Sequence, residues 1–70
     1  MNEKLKMRAV SIVCQSVDCD EEEAKRLLDK SHFNVKIAIL MGLTGKDEIE
    51  CQKALEKNKG NISLTVRSFL

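Results

Sequence analysis

The sequence predicts an all-α fold: a compact bundle of about five short helices built on an internal helix-pair repeat. Three observations predict it. The 70 residues allow one domain with a small core, and they include no proline, three glycines and only two aromatics, Phe33 and Phe69. The hydrophobic share of 43% is therefore carried mainly by Leu, Ile, Val and Ala, which pack short helices well. Finally, DEEEAKRLLDKSHFN, beginning at Asp20, is followed 27 positions later by DEIECQKALEKNKGN, beginning at Asp47. Seven of the 24 positions aligned from Asp20 onward are identical, and the apolar spacing matches almost throughout.

The first helix is expected within residues 1–18, from about Glu3 to Val17. Leu5, Ala9, Ile12 and Val13 recur there at helical spacing with Met7, Val10 and Cys14 beside them, giving a wide apolar arc. The first helix pair occupies residues 20–43. Asp20 and Glu23 write a capping box, and Glu21 and Glu22 complement the positive end of the helix dipole. Ala24, Leu27 and Leu28 form the buried stripe, which stops near Lys30. Asn34 caps the next helix, where Val35, Ile37, Ala38, Ile39, Leu40 and Met41 leave little polar surface. Gly45 stands where a left-handed residue commonly ends a helix.

The second pair, residues 47–70, repeats these signals. Asp47 and Glu50 form the second capping box; Cys51, Ala54 and Leu55 take the places of Ala24, Leu27 and Leu28; Gly60 and Asn61 end one helix and cap the next. Ile62, Thr65, Val66 and Phe69 make the final stripe. One such pair cannot close a core, whereas two pairs and the opening helix can cover one another. The connections are a few residues long, so consecutive helices pack as neighbours.

Composition also removes several functions. The 12 basic and 11 acidic residues nearly cancel and are interspersed, so the chain offers no nucleic-acid footprint and no polybasic membrane anchor. Its longest apolar run, Ile37 to Leu43, is far short of the ~20 residues that span a bilayer, and no signal-peptide pattern precedes it. A cytoplasmic protein is expected. Three cysteines, Cys14, Cys19 and Cys51, form no CxxC pair and no even framework, which suits reduced thiols. With His32 they have the right number for a four-ligand metal site, but Cys14 and Cys51 fall on apolar stripes, and no cofactor or metal is expected. The consecutive acids at Asp20–Glu23 lack the alternation and central glycine of a calcium loop. His32 has no evident nucleophile partner, so an autonomous enzyme is not expected.

The unit E-x-A-x-x-L-L, five residues, then N-V, read from Glu22 to Val35, is similar to the ubiquitin-associated-like three-helix fold. Over nearly the whole chain, the order N-x-K-L-x-x-R-A at Asn2–Ala9, E-E-A at Glu22–Ala24, N-V-K-x-A-I at Asn34–Ile39 and L-T-G at Leu43–Gly45 resembles the C-terminal helical region of bacterial N-acetylmuramic acid 6-phosphate etherases, relatives of the glucokinase regulatory protein. Phe33 departs from the family, which usually has glycine before Asn-Val. The resemblance implies a parent lyase whose upstream sugar isomerase domain carries the catalytic glutamates that eliminate the lactyl ether. This region would cap that domain, in the same chain or a neighbouring subunit, without catalytic residues of its own. It also implies that Asn2, Lys4 and Arg8 lie near the sugar phosphate. Spacing independently puts Lys4 and Arg8 one helical turn apart, where cations oppose the dipole unless an outside anion compensates. A solvated basic face is the plainer reading of the same pair. The alternative function is a free-standing ubiquitin-associated-like interaction module, binding a protein through Met41, Gly42 and Leu43 with Phe69 and Leu70.

Overall fold

The computed structural model describes residues 3–70. Five helices follow in order: α1 (Glu3–Val17), α2 (Glu21–Lys30), α3 (Val35–Thr44), α4 (Glu48–Lys57) and α5 (Ile62–Ser68). No strand occurs among the described residues. Each boundary follows from a local cause. At the starts of α2 and α4, the Glu23 and Glu50 amides donate to Asp20 Oδ1 and Asp47 Oδ1, each at 2.8 Å. At α3 and α5, the Ile37 and Leu64 amides donate to Asn34 Oδ1 and Asn61 Oδ1 at 3.2 and 2.9 Å. All four cap residues are extended, so their side chains satisfy amides that the helix itself leaves unpaired. We expect Asp20→Ala and Asp47→Ala each to destabilise the fold by about 1 kcal/mol in urea denaturation. An unchanged midpoint for either would remove that aspartate from the account.

The capping boxes are less reciprocal than their spacing suggests. The Glu23 carboxylate turns forward to Arg26, accepting from its Nε at 3.0 Å and from its Nη2, instead of reaching back to the cap. That hydrogen bond holds the Glu23 carboxyl below the ordinary range.

The corners between paired helices use left-handed backbone, which Gly60 announces in the sequence and His32, Phe33 and Lys59 do not. His32 and Phe33 have φ of 56° and 62°, and Lys59 and Gly60 have 55° and 80°. Two left-handed residues in succession reverse the chain and let the Phe33 amide reach Leu28 O at 2.7 Å and the Gly60 amide reach Leu55 O at 2.9 Å. Gly60 adopts this conformation without a side-chain clash. Phe33 accepts its cost, and its ring packs against the core formed by α1, α2 and α3.

Two clusters make up the interior, with α3 between them. Ala9, Val10 and Val13 of α1 meet Ala24, Leu27 and Leu28 of α2 and Ala38 and Ile39 of α3. On the other side Ile37 and Leu40 meet Cys51, with Leu55, Ile62 and Val66 partly covered. The near-continuous burial of α3, Ile37 through Leu40, follows from this double service. Helix α1 differs from the expected wide apolar arc. Its buried face is only Ala9, Val10 and Val13, while Leu5, Met7 and Ile12 are 56%, 52% and 41% exposed. Only α2 and α3 pack extensively against α1, and together they cover one side of it.

Candidate functional site

The exposed side of α1 holds the residues singled out for substrate contact. Lys4 and Arg8 are four positions apart and therefore one turn apart on the helix, and both are exposed. Asn2 lies outside the described residues. Leu5 and Ile12, seven positions apart, form a stripe along the same side, with Arg8 between them along the helix. This side carries a guanidinium and an ammonium beside an exposed apolar strip. Such a surface can hold an anion when a second surface closes over it, because excluding water lowers the local dielectric and strengthens the attraction of an anion to both cations. Sequence periodicity marked Leu5 and Ile12 as core. Their exposure depends on what α1 packs against, which periodicity does not report.

The alternative interaction residues are dispersed in their burial. Met41 is half-buried and packs against both core clusters. Gly42 sits inside α3 as a close-approach residue: a Cβ there would stand 2.6 Å and 2.8 Å from the Val17 methyls and 3.0 Å from Leu27 Cδ1. Leu43 is 46% exposed on the last turn of α3. Phe69 is half-buried at the end of α5, and Leu70 is almost fully exposed. The Met-Gly-Leu segment is thus helical and partly internal, and does not form a projecting loop.

The four potential metal ligands are separated. Cys14 and Cys19 pack partly buried against the α1–α2–α3 cluster, and Cys51 is buried in the other. His32 Nδ1 lies 2.7 Å from Glu48 Oε2, tying the first corner to the start of α4. Among the described residues no group of three or more His, Cys, Asp or Glu stands close enough to hold a metal. Burial pushes both the Cys19 and Cys51 thiols above their ordinary pKa; the neighbouring Cys14, Glu23 and Asp20 add to the rise at Cys19, while a hydrogen bond with Thr44 opposes it at Cys51. Raised thiol pKa values leave less thiolate at neutral pH, so neither is an activated nucleophile. A groove of about 460 Å³ opens between α2 and the α3–α4 turn, where Arg26, Lys30 and Lys46 face Asp47 and Glu48. Its mixed charge selects no class of ligand. No helix among the described residues is long and apolar enough to cross a membrane.

No family model matches the chain, and no solved structure does. Curated proteins do. An N-acetylmuramic acid 6-phosphate etherase of Oenococcus oeni is 43% identical over 65 residues, covering 93% of this chain and 22% of the relative. N-acetylmuramic acid 6-phosphate etherase 2 of Vibrio cholerae is 49% identical over 59 residues, 84% of this chain and 19% of its own length. The etherase of Clostridium beijerinckii is 44% identical over 68 residues, 97% of this chain and 22% of its own. The chain spans about a fifth of the length of these relatives. Over most of its length, then, this chain is homologous to one portion of the N-acetylmuramic acid 6-phosphate etherases.

Proposed function

We propose that this chain is the helical domain that caps the sugar isomerase domain of an N-acetylmuramic acid 6-phosphate etherase, and that it contributes Lys4 and Arg8 to holding the sugar phosphate. The observation that carries the reading is the similarity itself, which spans 84–97% of this chain in the relatives described above but only 19–22% of theirs. The exposed side of α1 supports it: an uncovered apolar strip with two cations beside it suits a surface that closes over an anion. The domain is non-catalytic in this reading, and the elimination of the lactyl ether belongs to the larger part of the enzyme. A three-helix ubiquitin-associated-like arrangement and kinship with the glucokinase regulatory protein belong to the same proposal.

By itself an exposed Lys-Arg pair holds a phosphate weakly, because solvent screens it and ordering the side chains costs entropy. Inside a capped site the same contacts orient the substrate. In a complete etherase carrying this domain, Lys4→Ala and Arg8→Ala should each lower kcat/KM by about 1 to 3 kcal/mol of transition-state binding, with the fold intact by circular dichroism. Lys25→Ala is the control, since Lys25 is paired on the exposed face of α2 with Glu21 at 3.4 Å, a kind of contact worth little. Near-normal rates in all three variants would reduce Lys4 and Arg8 to a solvated face.

A further inference from the structure

The 27-residue correspondence reaches further back than the two helix pairs. It carries Asp18, at φ 60°, onto Gly45, at φ 75°, and the cap Asp20 onto the cap Asp47. Residues 8–17 of α1 therefore precede α2 as α3 precedes α4, with a left-handed residue and an aspartate cap at the same offsets. In this correspondence Ile12 falls on Ile39. Ile39 is 6% exposed because α1 and α2 cover it, whereas Ile12 is 41% exposed. The same shift places Leu64, 47% exposed, on Ile37, 2% exposed beneath α4 and α5. Helix α3 is buried on both sides because it has a neighbouring pair on each. Helix α1 has such a pair on one side only. Stacked helical units ordinarily finish in a polar outer face, but α1 keeps Leu5 and Ile12 on one stripe, 56% and 41% exposed.

We propose that the Leu5–Ile12 stripe of α1 is an interface that receives an apolar helical face from the remainder of the etherase polypeptide, as Ile39 of α3 is received by α1 and α2. The inference rests on the etherase reading. Two observations specify the occupant. The covered counterpart, Ile39, clusters with Ala9, Val10, Val13, Ala24, Leu27 and Leu28, so the chemistry that fits this position is a helical surface of small and branched apolar residues. The relatives are several times longer than this chain, which supplies about four-fifths of a polypeptide from which such a face can come. Arg8 lies along the stripe between Leu5 and Ile12, so the face that covers the stripe also closes over the side of α1 whose cation is read above as a phosphate ligand.

The test compares the 70-residue chain alone with a chimera in which it replaces the matching region of the Clostridium beijerinckii etherase. Surface carbene labelling is read at Leu5, Ile12 and the control Ile49 of α4, which is 62% exposed. The expected result is loss of labelling at Leu5 and Ile12 in the chimera, with Ile49 unchanged, and recovery of labelling at Leu5 when Ile12→Asp is introduced. Equal labelling of the stripe in both proteins, with ether cleavage retained, overturns the interface and leaves the etherase reading standing. Protection that appears in the isolated chain and grows with its concentration assigns the stripe to a second copy and overturns the proposal. A folded chimera without activity overturns the etherase reading and this inference with it.

Discussion

Leu28→Ala is expected to destabilise the domain by about 2 to 5 kcal/mol, more than the equivalent Leu55→Ala. The sequence writes these leucines as partners, 27 positions apart on matching stripes. The structure separates them. Leu28 is fully buried in the larger cluster, among side chains from α1, α2 and α3. Leu55 is half-buried at the margin of the smaller cluster. Truncating Leu28 removes its transfer free energy and leaves a cavity that three helices must collapse into, whereas solvent can relieve the vacancy at the half-buried Leu55. A domain of this size has only about 5 to 10 kcal/mol in hand, so Leu28→Ala should bring it close to the edge of folding at 25 °C. Urea denaturation followed by circular dichroism gives both values. Equal costs at the two sites would mean that the half-burial of Leu55 is not maintained in solution.

The second large effect is expected at Gly42. An alanine in the interior of a helix normally gains about 1 kcal/mol over glycine. Here the added methyl would lie 2.6 Å and 2.8 Å from the two Val17 methyls and 3.0 Å from Leu27 Cδ1. Val17 is β-branched and stiff, so its methyls retreat only if the end of α1 moves with them. Overpacking of this kind costs about 1 to 3 kcal/mol, which outweighs the propensity gain, and Gly42→Ala should lower the melting temperature. Gly45→Ala makes the comparison informative. Nothing lies within 4 Å of a Cβ there, and its cost comes from the left-handed φ of 75° alone. A stabilised Gly42→Ala would show that α1 and α3 are not held at the close approach described.

The helix boundaries were legible because they are written in short-range chemistry. Asp20, Asn34, Asp47 and Asn61 cap where their residue types and the following apolar spacing place them. Burial along α3 was legible too, since four consecutive apolar residues leave no polar face to expose. The corners were not. Asp18, His32, Phe33 and Lys59 take left-handed backbone without being glycine, because the hydrogen bonds that close each corner and the packing behind it outweigh a local preference. Nor was the division of α1. Val13 and Ile12 are adjacent and equally apolar, and only the positions of α2 and α3 decide that one is buried and the other is not. The candidate site was legible as a spacing, Lys4 to Arg8. The apolar stripe beside it emerges only once the packing of α1 is known.

The most direct test of the account is lactyl ether cleavage by three proteins: the Clostridium beijerinckii etherase, the same enzyme without the 68 residues that match this chain, and the chimera in which this chain restores them. If the chain is a capping domain of an etherase, truncation should cut kcat/KM by at least about tenfold, and the chimera should recover most of that loss. Full activity in the truncated enzyme, or a folded chimera no more active than the truncation, would contradict it.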